Sequence, residues 1–120
     1  KKILIVEDEK PMSRALVLKL NNSGYEAKPA YDGQEALDIL TKEKFDLILL
    51  DLMMPRVDGF GVLEEMKKRS DNTPVICSTN LSQPSDIDRT KALGVKDYFV
   101  KSDTPISEVI ERVARVLANK

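Results

Sequence analysis

Short apolar runs punctuate this chain at regular intervals, and between them apolar residues recur at every third or fourth position. The runs read as strands and the intervening segments as helices. The first run is about Lys2–Val6. Pro11 then opens a helix that carries Met12, Ala15, Leu16 and Leu20 at helical spacing to about Asn22, with Gly24 as its stop. Tyr25–Ala30 is short and mixed, as an edge strand is. Asp32 is placed to cap a second helix that turns Ala36, Leu37 and Leu40 inward. Asp46–Leu50 is a continuous apolar strand, and Asp58-Gly59 precedes a helix with Phe60, Leu63 and Met66 on one side. Pro74–Ser78 is a fourth strand ending at Thr79. A fourth helix over about Ser85–Leu93 has a thin stripe of Ile87, Ala92 and Leu93 and ends at Gly94. Asp97–Val100 is the fifth strand. Thr104-Pro105 opens the last helix, where Ile106, Val109, Ile110, Val113, Val116 and Leu117 give the strongest periodicity of all.

Strict alternation of this kind implies an α/β fold, a parallel sheet with helices on both faces. It also implies where to look for chemistry. Glu7, Asp8, Asp51, Thr79 and Lys101 all fall at the C-terminal ends of strands. In open parallel sheets those ends share one edge, where ligands bind. Two strand ends bearing acids are costly, because like charges about 4 Å apart repel by roughly 4 kcal/mol at an effective dielectric near 20. A divalent cation offsets that. Mg²⁺ takes oxygen ligands, commonly one or two carboxylates with phosphate oxygens. Asp8 and Asp51 are the direct ligand candidates, and Glu7 a direct or water-mediated one. Lys101 supplies a point charge and Thr79 a hydroxyl donor. Phosphoryl transfer needs little more than such positioning and charge, with Asp51 as the nucleophile.

Bulk properties narrow the setting. One domain accounts for all 120 residues, with 42% hydrophobic and 32% charged residues. The formal net charge of −1 gives no general attraction to nucleic acid or anionic membrane. No stretch has the length of a membrane span, no signal peptide opens the chain, and the lone Cys77 fits a reducing, cytoplasmic setting. The chain holds no histidine, which excludes Ser-His catalysis, histidine metal sites and a phosphohistidine carrier role. Asp32 and Asp58 read as helix caps, Cys77 as a small core residue, and Lys67-Lys68-Arg69 as a solvated helix end.

Ile3-Leu4-Ile5-Val6-Glu7-Asp8-Glu9, Asp51-Leu52-Met53-Met54-Pro55 with Asp58-Gly59, Pro74-Val75-Ile76 leading to Thr79, and Asp97-Tyr98-Phe99-Val100-Lys101 occur in that order. Together they resemble the response-regulator receiver domain of bacterial two-component signalling, over residues 1–120. The resemblance implies a flavodoxin-like three-layer (βα)5 sandwich with strand order 2-1-3-4-5. It implies that Asp51 accepts a phosphoryl group from a histidine kinase's phosphohistidine. Asp8, Asp51 and the Met53 carbonyl would ligate Mg²⁺, supported by Glu7. Thr79 and Tyr98 would be the switch pair, changing the face made by the fourth helix, fifth strand and fifth helix. The implied partners are a sensor histidine kinase or phosphotransfer protein and a downstream protein or output domain. Some members dimerise through the same face, and nothing in these residues decides that here. Direct nucleic-acid or membrane contact by the domain is not expected. Such a domain catalyses its own phosphorylation and slow dephosphorylation without being a conventional enzyme.

Two positions depart from the family pattern. Asn80 follows Thr79 where a small residue is usual, and is expected to narrow access or restrict Tyr98. Ser102 follows Lys101 where proline is usual, which predicts a trans bond there, or a strained cis bond held by its surroundings, and a shifted start for the last helix. Met53 and Leu81 flank the family's route for hydrolytic water; both are apolar, so a long-lived phosphoryl group is expected. Rival readings fare worse. A flavodoxin-like cofactor protein needs a phosphate loop where Glu7-Asp8-Glu9-Lys10-Pro11 stands. A haloacid-dehalogenase-type phosphatase needs a second aspartate at Met53. A pseudo-receiver would not need Asp8, Asp51 and Lys101 intact.

Overall fold

Five parallel strands form a single sheet in the order β2-β1-β3-β4-β5. A computed structural model describes residues 1–54, 56–80 and 84–118, with backbone alone at 84 and 85. The strands are β1 (Lys2–Val6), β2 (Glu26–Ala30), β3 (Leu47–Asp51), β4 (Val75–Thr79) and β5 (Asp97–Val100). The helices are α1 (Lys10–Asn22), α2 (Gly33–Lys42), α3 (Gly59–Lys68), α4 (Pro84–Ala92) and α5 (Ile106–Ala118). β3 and β4 are buried along their whole length, as their unbroken apolar runs require. β2 is the mixed edge strand and tolerates Pro29.

Side chains alternate across the sheet, so each strand feeds two cores. Leu4, Val6, Ile48, Leu50, Val75 and Cys77 pack with Leu37, Phe60, Val62 and Met66 of α2 and α3. Ile3, Ile5, Leu47, Leu49, Ile76 and Phe99 pack with Leu16, Leu20, Val109, Val113 and Leu117 of α1 and α5. This parity decides which way each functional residue faces.

Helix ends follow sequence signals closely. Asp32 caps α2 by accepting from the Glu35 N–H at 2.7 Å, and Asp58 caps α3 by accepting from the Gly61 N–H at 2.9 Å. Gly24 lies just beyond α1 with φ at +95°, where a side chain would strain the turn. The weak helix lies within a residue of its expected bounds, and Leu93 packs on the core, but its buried side differs from expectation. Ala92 of α4 is exposed, and the buried position is Thr90, whose hydroxyl donates to the Ile87 carbonyl at 2.7 Å. α4 is also held to α3 by Arg89, whose guanidinium lies 4.1 Å from the Phe60 ring centroid and 3.4 Å from Glu64. Lys67 and Lys68 are solvated as expected, but Arg69 is not merely so. It donates to the Leu37 carbonyl at 3.2 Å and ties α3 to α2.

Gly59 fixes how the acidic end of β3 meets α3. A Cβ there would stand 2.6 Å from both the Asp51 carbonyl oxygen and the Leu52 Cα, and backbone atoms cannot yield. Gly59→Ala is expected to cost about 1–3 kcal/mol by overpacking. A urea midpoint unchanged from wild type would contradict this close approach.

Candidate functional site

Strand parity sorts the candidate residues before any contact is measured. Glu7, Asp51 and Lys101 fall in phase with Ile5, Leu49 and Phe99, on the α1/α5 side. Thr79 and Tyr98 fall in phase with Cys77, on the α2–α4 side. The hydroxyl and the ring expected to switch therefore lie across the sheet end from the expected acceptor.

Asp51 ends β3 and is 3% exposed. Its Oδ1 accepts from the Met53 N–H at 3.0 Å, and its Oδ2 lies 3.3 Å from the Lys101 ammonium. Lys101 makes its shortest pair elsewhere, at 2.7 Å to Glu7, which is itself buried. A third acid, Glu9, sits 3.3 Å from the same ammonium. One cation thus serves three carboxylates. Glu9 is the residue that sequence reasoning passed over. It occupies the N-cap position of α1 yet caps nothing, and its carboxylate turns to Lys101 instead. The absent cap bond is visible only in three dimensions.

The charge balance perturbs Asp51. Burial, then the charge of Glu7, push its carboxyl from 3.8 up to about 7, against the opposing pull of the Met53 N–H and Lys101. Lys101 moves the other way from what burial alone would give. Burial disfavours its charge, but the bond to Glu7 and the charges of Asp51 and Glu7 prevail and raise its pKa. Glu7 takes the better share of the ammonium, which leaves Asp51 short of positive charge. Carboxylate oxygens of Glu7, Asp8 and Asp51 lie within 4.8 Å of one another. Three hard oxygen donors so close, one of them pushed toward protonation, fit a hard divalent cation such as Mg²⁺. Met53, whose N–H bonds Asp51, is 57% exposed. Leu81, its expected counterpart, and Pro55 lie outside the described residues.

Thr79 is fully buried at the end of β4, one residue beyond Ser78, the register partner of Asp51. Tyr98 is half-buried against the α2–α4 core. Burial, then the charge of Asp86 on α4, raise its phenol pKa. Cys77 is wholly buried, and burial, then the Asp51 charge, push its thiol up to about 12, in keeping with a core role. Among the described residues no peptide bond is cis, so the bond after Lys101 is trans, as the missing proline predicts. A short 3-10 turn over Lys101–Asp103 follows, and α5 begins at Ile106. The Asn80 side-chain oxygen accepts from the Ser102 N–H at 3.2 Å.

Comparison with known families settles what kind of domain carries this arrangement. Residues 3–114 match the family described as response regulator receiver domain. The chain belongs to that family. Among curated relatives of this receiver domain is a probable transcriptional regulator, ycf27, of Porphyridium aerugineum. It is 42% identical over 98% of this chain and 51% of its own length. The ycf27 protein of Cyanophora paradoxa is 43% identical over 98% of this chain and 48% of its own. The chain therefore spans about half the length of these relatives. Solved receiver domains share the fold closely. The Francisella response regulator 1452 receiver domain superposes with a TM-score of 0.90 at 33% identity, covering 98% of this chain and 97% of that one. The Thermotoga maritima response regulator TrrA, solved in complex with Mg²⁺ and BeF, does so with 0.83 at 32% identity, covering 96% and 97%. The sheet order and five helices of this receiver are those of the flavodoxin-like class.

Proposed function

We propose that this receiver domain is a phosphorylation switch with Asp51 as the acceptor. The observation that carries the reading is one buried carboxylate at a strand end, pushed up to about 7, with Lys101 at 3.3 Å and the oxygens of Glu7 and Asp8 close by. An Asp51 oxygen attacks the phosphorus of a donor phosphohistidine; the new P–O bond forms as the P–N bond breaks, and the donor imidazole leaves with the electron pair. Lys101 then shifts its charge toward a phosphoryl oxygen. Glu7 retains the other side of the ammonium and keeps it oriented. Asp8 and Asp51, with the Met53 carbonyl and support from Glu7, would hold Mg²⁺. When bound, the ion offsets carboxylate and phosphoryl charge. The complex recorded for TrrA accords with that role.

The added phosphoryl brings about −1.5 to −2 charges and three acceptors. Thr79 turns to it and Tyr98 follows, which alters the α4–β5–α5 face. Partners are a sensor histidine kinase or phosphotransfer protein on the input side, and an output domain or downstream protein on the other. The domain assists its own phosphorylation and slow hydrolysis and is no conventional enzyme. We place it in the cytoplasm, supported by its lone buried Cys77; among the described residues no helix is long and apolar enough to cross a membrane.

The test is intact mass after incubation with acetyl phosphate and Mg²⁺. One phosphoryl adduct is expected, lost in Asp51→Asn and lost with a chelator. A folded wild type that takes no adduct overturns the reading in favour of a pseudo-receiver.

A further inference from the structure

The two departures from the family pattern are a single feature. Asn80 directly follows Thr79, and Ser102 directly follows Lys101. Thr79 and Val100 are register partners on adjacent strands, so the two loops leave the sheet side by side. The Ser102 N–H donates to the Asn80 Oδ1 at 3.2 Å and bridges them. Proline at 102 would have no N–H to give. Alanine at 80 would have no oxygen to receive it. Each unusual residue supplies the half of the bond that the usual residue lacks.

We propose that this hydrogen bond is a latch that holds Asn80, directly after Thr79, to Ser102, directly after Lys101, in the resting state, with both as positioning residues. The inference rests on the phosphoacceptor reading above. Thr79 immediately precedes Asn80, so a turn of Thr79 toward a phosphoryl group is coupled to Asn80, which the latch ties to Ser102. Released, the resting arrangement loses one hydrogen bond and the phosphoryl-bound arrangement becomes easier to reach. The net value of such a bond corresponds to about two- to tenfold in that equilibrium. The trans Lys101–Ser102 bond places the donor N–H for this contact.

The experiment is a beryllofluoride titration in excess Mg²⁺, followed by fluorine NMR, on wild type, Asn80→Ala, Ser102→Pro, the double variant and Ser102→Ala. Asn80→Ala and Ser102→Pro are each expected to tighten apparent binding by about two- to tenfold. The double variant should gain no more than either single one, since both remove the same bond. Ser102→Ala keeps the N–H and should match wild type. A merely structural role would weaken binding instead. Multiplying effects in the double variant, weaker binding in Asn80→Ala, or variants that all match a binding-competent wild type would overturn the latch. A wild type that binds no beryllofluoride overturns the phosphoacceptor reading and the latch with it.

Discussion

Replacing Lys101 with methionine will slow phosphorylation of Asp51 by about 100- to 1,000-fold. The ammonium is the one side-chain cation within pairing distance of Glu7, Glu9 and Asp51 among the described residues. Methionine preserves most of the stem's packing and removes only the charge. Charge that builds on the phosphoryl oxygens then meets no fixed partner. The same substitution strands Glu7, which is 2% exposed, and breaking a buried pair of this kind costs about 3–5 kcal/mol. That loss has a sign in pH. Lys101 opposes the upward shift of Asp51, so without the cation the Asp51 carboxyl keeps its proton to higher pH still than its unfolded counterpart. The deficit is therefore greatest above neutrality and shrinks as pH falls toward 4. Acetyl phosphate time courses by intact mass, with urea midpoints at pH 5 and pH 7.5, read both effects. A rate within a few-fold of wild type would remove Lys101 from the chemistry.

Asp51→Asn will fold more tightly than the wild type, and the gain will depend on pH. Burial and Glu7 raise the carboxyl from 3.8 to about 7, which corresponds to about 4 kcal/mol at most. Between those values the native state keeps a proton that the unfolded state has lost. Wild-type stability therefore falls as pH rises from about 4 to about 7, and stays low beyond it. Asparagine titrates nowhere in that range and keeps an oxygen for the Met53 N–H, although it gives up the charge facing Lys101. The net gain is expected to be about 2–4 kcal/mol at pH 7.5 with chelator present, and close to nothing near pH 4. Mg²⁺ should narrow the gap by stabilising the wild type. Equal urea midpoints for the two proteins at pH 7.5 would show that Asp51 carries no such burden.

Much of this was readable along the chain, for identifiable reasons. Buried parallel strands leave unbroken apolar runs, so β3 and β4 were placed to within a residue, and with them Asp51 and Thr79. Asp32 and Asp58 were legible as caps because capping is local. α4 was legible in its bounds to within a residue but not in its inward side, because a buried Thr90 with its own backbone partner looks like a surface residue in sequence. Glu9 and the Asn80–Ser102 bond were hidden by distance along the chain. Asn80 and Ser102 each stood out as unusual, but only the fold shows that they meet.

The side assignment of the sheet has a consequence for how this chain can change length. Asp51 faces α1 and α5 because it is in phase with Leu47 and Leu49, while Thr79 is in phase with Cys77 on the other side. One residue inserted or deleted within β3 would turn Asp51 away from Lys101 and Glu7 and bury its charge among Phe60, Val62 and their neighbours. A change of two would restore the side but slide the carboxylate along β4, past Ser78. The strand leading to Asp51 therefore has its length quantised at the value it has.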